Sequence, residues 1–150
     1  MNTKVALITG GSRGIGAATA IRLAQDGADV AFTYNQSADR AADVVEQIKE
    51  TGRRALAIQA DSASAEAIKD AVSQTVAEFG RLDILVNNAG AAAFAPIAEL
   101  SISDFDFVVN VNVKAAFVAS QAAAAHLGTD GRIITIGSRS CKNLVSGYQC

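Results

Sequence analysis

Short apolar runs bounded by turn residues alternate along the chain with longer stretches whose apolar positions recur every three or four residues. The runs at residues 4–9 (KVALIT), 28–34 (ADVAFTY), 54–60, 82–87 (LDILVN) and 132–137 predict five strands. Helical periodicity predicts helices over residues 14–26, 38–50 and 64–79, and a long one over about 101–126. Gly27 and Gly80 mark helix ends, and Ser37 stands where an N-cap belongs. Strands that are apolar almost throughout imply burial on both faces. The pattern therefore predicts a doubly wound α/β fold, a parallel sheet between two helical layers.

Composition narrows the classes. A chain of 150 residues suits one domain, residues 1–150, able to bury roughly 68–70% of its unfolded surface. Half the residues are apolar but only 5% are aromatic, so Ala, Val, Ile and Leu build the core. A net charge of -2 offers no electrostatic attraction to nucleic acid or an anionic membrane. The opening MNTKVALITG is too short and wrongly flanked for a signal peptide or a membrane span. Cys141 and Cys150 lie close enough in sequence to pair, but two free thiols in a cytoplasmic protein are expected. No metal site is expected.

The candidate chemistry begins in Thr9-Gly10-Gly11-Ser12-Arg13-Gly14-Ile15-Gly16, between the first strand and the first helix. Glycine lets backbone approach a ligand closely, and a helix N-terminus presents free N–H groups to an anion. No Gly-Lys-Ser/Thr is present, which argues against a Walker-type triphosphate loop and for a dinucleotide.

The spacing Gly10, Gly14, Gly16, with Asn87-Asn88-Ala89-Gly90 after the fourth strand, resembles the short-chain dehydrogenase/reductase family. The wording is most similar to its 3-oxoacyl-carrier-protein reductase-like members. The resemblance covers residues 4 to about 138 and implies a Rossmann fold that runs on past the fifth strand, so this chain is expected to be truncated. It implies cofactor contacts from Gly10, Ser12, Arg13, Gly14, Ile15 and Gly16 in the loop. Further contacts are implied at Asn35, at Asp61 and Ser62 after the third strand, and at Asn88, Ala89 and Gly90. Asp61 would bond the adenine, and Asn87 with its neighbours would brace the central sheet.

An NAD-selective site usually ends its second strand on an acid that accepts from the ribose 2′-OH. Here that strand ends Thr33-Tyr34-Asn35-Gln36-Ser37, and the first acid, Asp39, lies inside the next helix. A 2′-phosphate would meet no carboxylate there, and Arg13 can supply charge-assisted hydrogen bonds. NADP(H) is the expected cofactor.

For catalysis the resemblance implies Ser138, at the end of the fifth strand, and Asn112, in the long helix. The family's Tyr-x-x-x-Lys pair is missing: Lys142 precedes Tyr148, and no residue follows Tyr148 by four. Residues 139–150 depart from the family in wording, as an artificial truncation, an early stop or a shifted frame would produce. The expected function is hydride transfer between NADPH and a carbonyl or alcohol substrate such as a 3-oxoacyl thioester, with weak or no turnover by this chain. The alternative is a non-catalytic NADP(H)-binding module. Self-association is expected through the long helix, the fifth-strand edge, or both.

Overall fold

The computed structural model describes residues 3–137. Strands β1 (Val5–Ile8), β2 (Asp29–Tyr34), β3 (Ala55–Gln59), β4 (Ile84–Asn87) and β5 (Arg132–Thr135) form one parallel sheet in the order β3-β2-β1-β4-β5. Helices α1 (Gly14–Gln25), α2 (Ala38–Glu50) and α3 (Ala65–Phe79) make the crossovers. The last crossover is a continuous helix of three parts: α4 (Ile102–Val109), a π-helical turn (Asn110–Lys114) and α5 (Ala115–Ala124). The predicted elements are all present, and their ends differ from expectation by one or two residues.

Strand alternation sorts the core into two layers. Ala6, Ile8, Val30, Phe32 and Val86 pack on one face against α1 and α2, through Ala20, Ala24, Val44 and Ile48. Leu7, Ala31, Ile58 and Leu85 pack on the other against α3 and α5, through Ile68, Val72, Val118 and Ala119. Strands β1 and β2 are buried nearly throughout, as both-sided cover requires. Strand β5 differs: every residue in it is exposed, and Ile133 and Ile134 are 45% and 46% exposed.

The helix Ile102–Ala124 is long and apolar enough to cross a membrane by length and composition. Its second half is a core helix, with Ala115, Val118, Ala119 and Ala123 buried against the sheet layer. Ser101 caps its start through a reciprocal box with Asp104. At α2, Ser37 does occupy the N-cap position, but its side chain makes no capping bond. Gly80 ends α3 in the left-handed conformation expected of a C-cap, with φ 79°.

Two carboxylates tie down the end of the sheet opposite the glycine loop. Asp29 accepts from the Arg53 side chain and from the Arg54 N–H. Asp83 accepts from the Val5 N–H at 2.8 Å and from both arms of Arg81 at 2.7 and 2.8 Å. Burial opposes the charged form of Asp83, but the Arg81 guanidinium and the Val5 N–H outweigh it and hold the carboxyl below its usual range. A depressed folded-state pKa contributes stability above the unfolded value, about 3.9, and loses it as pH falls through the folded value. Asp83→Asn should therefore lower the urea midpoint at neutral pH, with the gap to wild type closing as pH falls through the folded-state value. A gap that stayed constant with pH would assign the effect to packing instead.

Candidate functional site

The strand order reverses direction between β1 and β4, and the loops leaving their carboxyl ends meet above that point. Thr9 joins them. Its N–H donates to Val86 O at 3.0 Å, and its Oγ1 accepts from the N–H groups of Asn88 and Ala89, both at 3.0 Å. Strand β2 holds the same loop from the other side: Gly10 N donates to Thr33 Oγ1 at 3.0 Å and Gly11 N to Thr33 O at 2.8 Å.

Glycine is required here for two separate reasons. Gly10 and Gly14 have φ of 68° and 54°, where an L side chain is strained. Gly16 has no room, because a Cβ would overlap Gly10 O and stand 2.5 Å from Asn88 Nδ2. With no side chain between them, α1 comes down onto the loop. Arg13 occupies the N-cap position in extended conformation and makes no side-chain capping bond. The first N–H groups of α1 therefore remain available to an anion.

The second loop is built by Asn88. Its Nδ2 donates to Thr9 O at 2.9 Å and Gly10 O at 3.0 Å, so one amide stitches the β4 loop to the glycine loop. Asn87, one residue earlier, is buried and faces elsewhere. Its Nδ2 lies 3.1 Å from Ser120 Oγ on α5 and 3.5 Å from Thr135 Oγ1 on β5. The bracing expected of this motif is thus divided: Asn87 ties the sheet to α5, and Asn88 shapes the cleft.

The cleft above these loops has a volume of about 780 Å³. Gly10, Ser12, Arg13, Gly14, Ile15 and Gly16 line it on one side, and Asn88, Ala89 and Gly90 on another. Asn35, Asp61 and Ser62 line the far end, beyond the tips of β2 and β3. Sequence reasoning missed Thr33, Tyr34 and Ala60 at the strand ends, and Ala91, Ala92 and Phe94 past the second loop. It also missed Phe107 and Val111, whose four-residue spacing puts them on one side of the long helix.

Charge is sparse and polarised. Among the described residues, Arg13 and Asp61 are the only ionisable groups lining the cleft apart from the Tyr34 phenol. Arg13 makes no ion pair among the described residues. Asp61 spends one oxygen on its own turn, accepting from Ala63 N at 2.9 Å. Asn35, Gln36 and Ser37, which line the cleft just after β2, are all uncharged.

Asn112 sits in the π-helical turn, a feature that helical periodicity did not predict. Its Oδ1 accepts from Ala91 N at 2.9 Å and its Nδ2 donates to Ala91 O at 2.7 Å. The side-chain amide is therefore spent on the cleft-lining loop. Such single-turn π segments recur at functional sites because the extra residue redirects the side chains around it. Ser138, Lys142, Tyr148 and both cysteines lie outside the described residues.

Residues 4–150 match the family model described as short chain dehydrogenase. The chain belongs to the short-chain dehydrogenase family. Among short-chain dehydrogenases of known structure, one from Burkholderia cenocepacia in complex with NADP is 55% identical, with a TM-score of 0.93, over 97% of this chain and 59% of that one. A blue fluorescent protein from a metagenomic library, in complex with NADPH, is 48% identical with a TM-score of 0.93, over 98% of this chain and 60% of that one. The hydroxynaphthalene reductase of Aspergillus fumigatus is 44% identical over 148 residues, 99% of this chain and 54% of its own length. The chain thus spans about half the length of the curated relatives it matches.

Proposed function

We propose that this chain is the NADP(H)-binding part of a cytoplasmic carbonyl reductase. The observation that carries the reading is the convergence of three features on one cleft: a glycine loop closed to any side chain at Gly16, an uncapped helix N-terminus, and an Arg13 with no ion-pair partner among the described residues. The pyrophosphate fits over the α1 N-terminus, with Gly10, Gly14 and Gly16 allowing close approach. The adenosine half fits the end lined by Asn35, Asp61 and Ser62. The nicotinamide end fits beside Asn88, Ala89 and Gly90, with Asn112 holding the adjoining loop through Ala91. When bound, the cofactor supplies the hydride. The NADP and NADPH complexes of two similar proteins support this choice of cofactor.

Arg13 decides between the two nicotinamide cofactors. Exposed and without an ion-pair partner among the described residues, it can meet a 2′-phosphate, and the segment Asn35-Gln36-Ser37 that follows β2 carries no charge to repel one. Arg13→Ala should weaken NADPH binding by about 1–3 kcal/mol, the scale of a charge-assisted hydrogen bond, and leave NADH binding nearly unchanged. Fluorescence titrations giving the wild-type chain equal affinity for both cofactors would defeat the assignment.

The substrate in this reading is a small carbonyl compound, with 3-oxoacyl thioesters the instance suggested by the sequence resemblance, and Ser138 and Asn112 serve its reduction. Self-association through the exposed Ile102, Phe105, Val113 and Phe117 of the long helix, or through β5, belongs to the same reading. The second reading is a non-catalytic NADP(H)-binding module. NADPH affinity without ketone-dependent NADPH oxidation would select it.

A further inference from the structure

We infer that the end of the cleft beneath the long helix selects a neutral aromatic ketone over an open-chain one, with Phe94 as the determining residue and Phe107 as its partner. The inference rests on the cofactor reading above and, among small carbonyl compounds, favours an aromatic ketone over the 3-oxoacyl thioester that the sequence resemblance suggested. Past Gly90 the described residues lining the cleft are Ala91, Ala92, Phe94, Phe107 and Val111, with no ionisable group among them. Both charged lining residues, Arg13 and Asp61, fall within the cofactor's share of the cleft. A carboxylate or phosphate on the substrate would find no counter-charge among the described residues at this end, which favours an uncharged group here.

The two aromatic rings narrow the class further. Phe94 is 80% exposed and Phe107 48% exposed, in a chain with only six phenylalanines. Phe32, by contrast, is fully buried in the core. Phe107 and Val111 stand one turn apart on the cleft side of the long helix. The same helix holds the Phe94 loop in place through the two hydrogen bonds from Asn112 to Ala91. Ring faces left open to a ligand favour offset or edge-on contact with another aromatic system. A flexible acyl chain makes no such contact and loses more conformational freedom on binding.

The test is binding to the NADPH-loaded chain, with 1-tetralone and an open-chain 3-oxoacyl thioester of equal carbon number as probes, followed by saturation-transfer NMR. NADPH titration by its own fluorescence comes first, and absence of NADPH binding would remove the cofactor reading and this inference together. With NADPH bound, 1-tetralone should bind about five- to tenfold tighter than the thioester, the scale of one aromatic contact. Phe94→Leu should remove that preference while leaving the NADPH titration intact, and Phe94→Tyr, which keeps the ring, should retain it. Equal affinity for the two probes, or a preference that survives Phe94→Leu, would overturn the inference and leave the cofactor reading standing.

Discussion

Gly16→Ala is expected to weaken NADPH binding by on the order of 30- to 1,000-fold, or about 2–4 kcal/mol. The new methyl group would meet Gly10 O and Asn88 Nδ2, one a backbone atom and the other held by two hydrogen bonds. Neither is the free end of a flexible side chain. Overpacking of this kind costs about 1–3 kcal/mol, and displacing the Asn88 amide orphans carbonyl oxygens at a similar cost. The helix N-terminus would move off the loop, so the loss should appear in cofactor affinity as well as in stability. Gly14→Ala is the control. A Cβ there meets nothing within 4 Å, and the cost is confined to the left-handed φ of 54°, about 1–2 kcal/mol. NADPH titrations of the two variants beside urea unfolding would decide the matter. Wild-type affinity in Gly16→Ala would mean that α1 does not set the floor of the cofactor site.

Thr9→Val should cost about 2–5 kcal/mol of stability although the two side chains have nearly the same shape. Thr9 is buried, and its single hydroxyl oxygen accepts the N–H groups of both Asn88 and Ala89. Valine would leave two backbone donors unpaired at the junction of β1 and β4, each worth about 1–3 kcal/mol. Thr9→Ser keeps the acceptor and removes only a methyl group, about 0.8 kcal/mol. Urea midpoints should therefore fall in the order wild type, serine, valine. Equal midpoints for the serine and valine variants would show that packing, and not the hydroxyl, joins the two loops. Hydrogen exchange at Asn88 and Ala89 gives an independent readout, since both amides should lose protection in the valine variant only.

Much of the cleft's lining was legible because it depends on local rules. The glycine loop is named by residue type and by its place between a strand and a helix, and the neutral end of β2 by its lack of an acid. All twelve residues expected at the cofactor line one cleft. Ser37 shows where local reasoning fails: its position is right, yet its side chain makes no capping bond. The lining by Phe94, Phe107 and Val111 was not legible, since an apolar residue after a loop or on a helix reads equally well as core.

By itself the sequence determined the element order, the parallel sheet and the glycine loop that lines the cleft. Each of these follows from periodicity and backbone chemistry within a few residues. Only tertiary structure decided how the two Asn residues divide their work, since Asn87 and Asn88 are chemically identical and differ only in which way the strand end points them. It also decided that the long helix loosens into a π turn at Asn110–Lys114 and spends the Asn112 amide on Ala91, twenty-one residues away. Hydrogen bonds across such separations are set by how strands and helices stack. No local pattern along the chain encodes them.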